Sequence, residues 1–138
     1  MFLVKSTSII TLVLSFVINN ALAADPEKGR EVFLSYCLAC HAFACNRDGA
    51  EAYSPKLAKL IGRKAGSLED FSGYSDQLRK SEIVWTEEIL QSFFTDPKSV
   101  MPGMTTLEFH KVATSNQSTN LVAFLKTEDP SVDIFCKE

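Results

Sequence analysis

Positions 37–41 of the chain have the sequence Cys37-Leu38-Ala39-Cys40-His41. Side chains three positions apart lie on one face of a helical turn, so both thiols point to the same side and an imidazole follows them directly. This C-x-x-C-H spacing is the attachment pattern of c-type haem, in which two thiols form thioethers and the histidine binds the iron as proximal ligand. The motif therefore predicts one covalently attached haem c.

Two other chemistries use the same types of residue. A thioredoxin-like dithiol needs a βαβ context around its two cysteines, whereas here a helix pattern precedes the motif and no strand pattern follows it. A structural zinc site could take Cys37, Cys40, His41 and Cys45, but it would lack the usual well-separated second pair of ligands. The motif favours covalent haem over both.

Composition narrows the classes of function that remain. The 138 residues include 14 Lys plus Arg against 17 Asp plus Glu, a formal net charge of −3. This balance suits one small globular domain and gives no reason to expect a nucleic-acid partner. The sequence contains no Ser/His/Asp arrangement, carboxylate pair or phosphate loop that would indicate an enzyme.

The N-terminal segment resembles an export signal. Lys5 precedes an apolar run at residues 9–18, and the small-residue stretch Ala21-Leu22-Ala23 follows it. Because the run is shorter than the roughly 20 residues that span a bilayer, we predict a signal peptide over residues 1–23 that is cleaved. The protein is then periplasmic, and it meets a membrane only if this segment stays attached.

Residues 24–138 are expected to form a single domain with a short C-terminal tail, about residues 127–138. Asp25 suits a helix N-cap and Pro26 the first helical position. Within this helix, Gly29 shares one face with Val32 and Phe33. A glycine inside a helix costs about 1 kcal/mol relative to alanine, so its expected reason is the close approach of another element.

That other element is predicted near the C-terminus. Leu121, Phe124 and Leu125 share one face of a helical segment at residues 120–126, so we expect two crossing helices, one from each end of the chain. A third helix is expected over residues 85–94, capped by a threonine and ended before Pro97. Residues 54–74 are expected to form a loop with a short turn of helix.

The order of these features resembles class I c-type cytochromes, in particular the mitochondrial cytochrome c and bacterial cytochrome c2-like branch. The resemblance covers nearly the whole chain after the signal segment and is carried by Gly29, Phe33, the motif at 37–41, Pro55-Lys56-Leu57, Gly62-Arg63-Lys64-Ala65-Gly66, Phe71, Tyr74-Ser75, Trp85, Leu90, Asp96-Pro97-Lys98, Pro102-Gly103 and residues 121–126. It implies an all-α fold in which crossing terminal helices, a middle helix and loops wrap one haem. It also implies a carrier of single electrons between larger redox proteins, by Fe(II)/Fe(III) cycling.

The resemblance assigns further roles around the haem. Pro55 corresponds to a proline whose carbonyl accepts a hydrogen bond from the proximal imidazole, which orients the ring and makes it more electron-rich. Arg63, Tyr74 and Trp85 correspond to residues that contact the haem propionates. Donors of this kind offset the cost of burying a carboxylate.

The distal iron ligand departs from the family pattern. In mitochondrial relatives a methionine follows the Pro-Gly pair by three residues, which here is Thr106. Met104 is the favoured ligand, with Met101 and His110 as alternatives. The same spacing is compatible with an open or weakly held distal site, so the alternative function is a haem protein that binds or senses a small gas.

Other positions depart as well. Phe93 stands where mitochondrial relatives have a tyrosine near the methionine, and Ser54 and Lys59 replace glycines, which implies some backbone adjustment on the proximal side. Cys45 and Cys136 are extra to the family pattern. With the other two thiols bound to haem, these two are expected to form a disulfide in an oxidising compartment.

A docking surface is also suggested by charge. Between residues 56 and 80, basic side chains outnumber acidic ones; the basic set is Lys56, Lys59, Arg63, Lys64, Arg79 and Lys80, and the acidic set is Glu69, Asp70 and Asp76. The sequence therefore predicts a local positive patch for transient docking of redox proteins.

Overall fold

The computed structural model describes residues 23–45, 54–103 and 114–133. The predicted signal peptide, apart from Ala23, lies outside the described residues, as do Met104, His110 and Cys136. The helices are α1 (Pro26–Val32), α2 (Asp76–Lys80), α3 (Glu87–Thr95), α4 (Pro97–Val100) and α5 (Ser115–Leu125). A π-helical turn (Phe33–Cys37) continues α1, and a 3₁₀ turn (Pro130–Val132) follows α5.

The described part of the chain is helical and forms no β-strand; its sheet-like pairing is an isolated bridge between Lys64 and Val84. The all-α prediction is confirmed. No helix within the described ranges has the length and apolar character needed to cross a bilayer.

Helices α1 and α5 cross at Gly29, as the sequence predicts. Asp25 caps α1 by accepting hydrogen bonds from the amides of Glu27 and Lys28. Its own amide donates to Oδ1 of Asn120 in α5 at 2.8 Å. A Cβ added at Gly29 would lie 1.9 Å from the carbonyl oxygen of Asn120, so the absence of a side chain is what allows this approach.

The core between these helices contains an aromatic cluster. Phe33 and Phe124 lie with ring centroids 5.4 Å apart, and Phe43, just after the C-x-x-C-H motif, lies 5.8 and 5.6 Å from them. All three rings are fully buried. The packing of the terminal helices therefore also fixes the chain segment that follows His41.

Helix α3 begins as expected, because Thr86 accepts a hydrogen bond from the amide of Ile89, and it buries Leu90. The short helices α2 and α4 are additional to the prediction, since four or five residues are too few to show a helical period. Residues 54–74 form turns rather than helix. Helix α5 extends further toward the N-terminus than expected, starting from a capping box of Thr114 and Gln117.

Candidate haem-binding site

The C-x-x-C-H motif lies at the end of the π-helical turn that continues α1. The amides of Cys40 and His41 both donate to the carbonyl of Cys37, at 3.1 and 2.8 Å. This tight turn presents the two thiols and the imidazole from one short stretch of backbone. Cys37 is buried whereas Cys40 is exposed. Burial, with a smaller effect of neighbouring Cys40, raises the pKa of the Cys37 thiol to about 12.

The imidazole of His41 is oriented by a backbone carbonyl. Its Nδ1 lies 2.6 Å from the carbonyl oxygen of Pro55, and a carbonyl only accepts, so Nδ1 carries the proton in this contact. A hydrogen bond of this kind fixes the tautomer and leaves Nε2 as the nitrogen that would bind a metal. The contact is the one that the family resemblance implies for Pro55.

Two chain segments are joined around this contact. The amide of Leu57 donates to the carbonyls of Ala42 and Phe43 at 3.2 and 3.1 Å, and the amide of Ala58 donates to Phe43 at 2.7 Å. Residues 41–45 and 55–58 therefore form one hydrogen-bonded unit, which we call the proximal unit. Its geometry determines where the Pro55 carbonyl meets the His41 ring.

Arg63 and Trp85 are placed side by side by backbone pairing. The amide of Gly62 donates to the carbonyl of Trp85 at 2.8 Å, and the amide of Trp85 donates to the carbonyl of Arg63 at 2.9 Å. The Trp85 side chain is buried, with its ring 5.0 Å from that of Phe93. The pairing brings together two residues that lie 22 positions apart in the sequence.

The Arg63 guanidinium is half-buried and donates to the carbonyls of Ala58 and Lys56, at 3.2 and 2.9 Å. Burial lowers its pKa, while Tyr74 and the acidic groups nearby act in the opposite direction. Burial likewise raises the pKa of the Tyr74 hydroxyl, which the charge of Arg63 partly offsets. Arg63 and Tyr74 are therefore close enough to interact, and both are partly shielded from water.

The distal side is described only up to Gly103. Met101 is buried at the C-terminal end of α4 as part of the hydrophobic core. The side-chain amide of Gln77 donates to the carbonyl of Pro102 at 2.8 Å, and Gly103 has a positive φ of 85°. These contacts fix the backbone immediately before Met104, the favoured distal ligand.

The predicted positive patch is partly neutralised. Lys56 pairs with Asp70 at 2.6 Å, Lys64 with Glu82 at 2.9 Å, and Lys80 with Asp76 at 3.8 Å. Three of the six basic side chains therefore form ion pairs. Asp70 and Asp76 already belong to the acidic set of this segment, and Glu82 adds a further negative charge that reduces the positive field beside Lys64.

Two carboxylates that the sequence interpretation missed bind backbone amides near the haem-binding motif. Asp133 accepts hydrogen bonds from the amides of Phe43, Ala44 and Cys45. Glu128 binds the amide of Lys59 with both carboxylate oxygens at 3.0 Å. Lys59 itself has φ of 54°, so it occupies the left-handed region that a glycine would adopt. No local pattern signals these contacts, because their partners lie 69 to 90 positions apart.

The residues at this site fit a c-type haem. Cys37 and Cys40 are free thiols within one turn, and the adjacent imidazole is held through Nδ1. By contrast, the described residues contain no group of three or more His, Cys, Asp or Glu side chains that would hold a metal ion by themselves. The zinc alternative therefore has no support in the described part of the chain. Cys45 is not one of the free thiols.

Comparison with known proteins agrees with this arrangement. The chain is 37% identical over 117 residues to a cytochrome c2 of Blastochloris viridis, covering 83% of this chain and 86% of that protein. It is 41% identical over 106 residues to cytochrome c-550 of Ancylobacter novellus, covering 74% and 94%. The solved structure of cytochrome cH from Methylobacterium extorquens matches with a TM-score of 0.60 and 33% identity, covering 75% of this chain and 98% of that one.

No protein-family model matches the chain. The relatives and the shared fold nevertheless show that the chain belongs to the class I c-type cytochromes. Members of this family are electron carriers rather than enzymes, and they bind one covalently attached haem c. The predictions of fold class, family and cofactor are confirmed.

Proposed function

We propose that this cytochrome is a periplasmic carrier that takes single electrons from one larger redox protein and passes them to another. The observation that best supports it is the turn that presents Cys37, Cys40 and His41 together, with the imidazole hydrogen-bonded to Pro55. Bound there, the haem iron supplies a one-electron Fe(II)/Fe(III) couple. Docking is transient and occurs at the haem edge.

The chain's own residues have distinct roles in this proposal. Cys37 and Cys40 would hold the porphyrin as thioethers, and His41 would bind the iron through Nε2. The Pro55 carbonyl keeps the imidazole in one tautomer and increases its electron density. Arg63, Tyr74 and Trp85 are the residues proposed to contact the propionates. In support, Arg63 pairs with Trp85 through the backbone and interacts with Tyr74, and the partial burial of Arg63 and Tyr74 strengthens charge-assisted hydrogen bonds.

Met104 is proposed as the distal ligand. Gln77 and Gly103 support this, because they fix the backbone up to the residue before it. Met101, by contrast, is already packed in the core. A sulfur ligand raises the potential compared with a second imidazole, which suits a carrier that accepts electrons readily.

Optical spectra of the exported protein test this assignment. We expect the oxidised protein to show the weak near-infrared band of Fe(III) bound by methionine sulfur, and Met104→Ala to abolish it. The matched control is Met101→Leu, which keeps an apolar side chain of similar volume and should retain the band. Loss of the band in Met101→Leu alone would move the ligand to Met101. If the wild-type protein lacks the band and its reduced form binds carbon monoxide, the gas-binding function replaces the carrier.

A disulfide between Cys45 and Cys136 is part of the proposal. Asp133 accepts a hydrogen bond from the Cys45 amide at 3.0 Å, and Cys136 follows three residues later in the sequence. Three extended residues span roughly 10 Å, so the second thiol is within reach. Mass measurement of the exported protein without reductant tests both the disulfide and the cleavage of the signal peptide. We expect a chain that starts at Ala24 and has no free thiol. Two alkylatable thiols would exclude the disulfide.

A further inference from the structure

The carboxylate of Asp133 is bound by three consecutive backbone amides directly after the C-x-x-C-H motif. Oδ1 accepts from Phe43 at 2.6 Å, and Oδ2 accepts from Ala44 at 2.7 Å and from Cys45 at 3.0 Å. Successive amides that converge on one anion form a concave binding site, and each such hydrogen bond is strengthened by the charge. The C-terminal tail thus grips the chain close to the proximal ligand.

The position of Asp133 is set by the tail itself. Val132 is fully buried, which anchors the 3₁₀ turn in the core. Asp129 caps this turn by accepting from the amide of Ser131 at 2.9 Å, and the amide of Asp133 donates to the carbonyl of Pro130 at 2.9 Å. The carboxylate is therefore delivered by a fixed turn rather than by a loose chain end.

The residues that Asp133 binds, 43–45, belong to the first of the two segments of the proximal unit. The carbonyl of Phe43 accepts from the amides of Leu57 and Ala58, only two and three residues after Pro55. One residue, Phe43, therefore joins Asp133 through its amide to the Pro55 segment through its carbonyl. Glu128, also in the tail, binds the amide of Lys59, the residue that directly follows this second segment.

We propose that Asp133 is a positioning residue for the proximal ligand. By holding residues 43–45, it keeps the Pro55 carbonyl at hydrogen-bonding distance from Nδ1 of His41, and so controls how much electron density the imidazole offers to the iron. This rests on the proposed function, in which His41 is the proximal ligand.

The test compares two aspartates of the tail in the haem-loaded protein. Asp133→Asn keeps one oxygen but sets an NH₂ group against amide donors and removes the charge. Asp129→Asn makes the same change four residues earlier, where the carboxylate accepts hydrogen bonds from the amide and the hydroxyl of Ser131. The readouts are the solvent exchange rate of the His41 Nδ1 proton, measured by NMR, and the reduction potential.

In Asp133→Asn we expect the His41 Nδ1 proton to exchange about tenfold faster or more, which corresponds to the loss of one charge-assisted hydrogen bond. The potential should rise, because a less electron-rich imidazole stabilises Fe(III) less. Asp129→Asn should leave the exchange rate within about twofold of wild type, because asparagine caps a turn about as well as aspartate does and Asp133 therefore keeps its position. Asp133→Glu, which keeps the charge and both oxygens, should restore slow exchange in part and also serves if Asp133→Asn does not fold.

Three results would overturn the proposal. If Asp133→Asn speeds up exchange of the tail amides but leaves the exchange rate of the His41 Nδ1 proton unchanged, Asp133 only anchors the tail. Equal effects of the two asparagine variants would reduce the role to charge or to general loosening. Absence of paramagnetically shifted His41 signals in the wild-type protein would instead refute the proposed function, and with it the premise of this role.

Discussion

The close crossing of α1 and α5 allows the effect of a substitution at Gly29 on stability to be predicted quantitatively. In Gly29→Ala, the new Cβ would lie 1.9 Å from the carbonyl oxygen of Asn120, 2.5 Å from its carbonyl carbon and 2.8 Å from Cβ of Phe124. The two nearest atoms belong to the backbone of α5, so no side-chain rotation relieves the contact. The helices must move apart.

The magnitude follows from two opposing effects. Alanine gains about 1 kcal/mol of helix propensity over glycine, whereas overpacking a rigid contact costs about 3 kcal/mol, the upper end of the usual range. We therefore expect the free energy of unfolding to fall by about 2 kcal/mol. For a chain of this size, that corresponds to a melting temperature lower by roughly 8 °C.

Chemical denaturation of the haem-loaded protein, followed by circular dichroism, measures this change. The matched control is Glu31→Ala, an exposed position on the same helix, which should change stability by no more than about 0.5 kcal/mol. A Gly29→Ala protein as stable as wild type, or more stable, would show that the two helices do not cross at this glycine.

Two other substitutions probe the surroundings of the haem. The hydrogen bond from Lys56 is the main cause that lowers the pKa of Asp70, so Lys56→Gln should raise that pKa toward 3.8 in an NMR titration. Because the pKa of Asp70 is lower in the folded state, the ionised carboxylate stabilises the fold above its ordinary pKa, and this stabilisation is lost as the pH falls. The loss of stability at low pH should be smaller in Lys56→Gln. An unchanged Asp70 pKa in this variant would contradict the pairing. Gln77→Ala removes the donor to the Pro102 carbonyl. The near-infrared band assigned to Met104 should therefore disappear at a lower urea concentration than in wild type. An unchanged urea midpoint for loss of the band would show that Gln77 does not support the distal backbone.

The parts of the fold that could be predicted from the sequence are those with local causes. The cap at Asp25 acts within the first helical turn, and the motif at 37–41 lies within one turn of chain. Gly29 was also informative, since a helix tolerates a glycine at this cost only where another element comes close.

The remaining features depend on distant partners. The contacts of Asp133 with Phe43 and of Glu128 with Lys59 join segments that no periodicity or motif links. The ion pairs of Lys56 with Asp70 and of Lys64 with Glu82 were equally hidden from the sequence pattern. The contacts of Asp133 and Glu128 require the tail to lie beside the segments around Phe43 and Lys59, and no local pattern predicts that placement.

The central claim is that one covalently bound haem in this chain exchanges single electrons reversibly. A redox titration of the exported protein, followed optically in both directions, tests it most directly. The account predicts a c-type haem spectrum that persists after denaturation and one reversible one-electron step whose oxidative and reductive curves coincide. Absence of covalently bound haem, or a reduction that does not reverse on reoxidation, would contradict it.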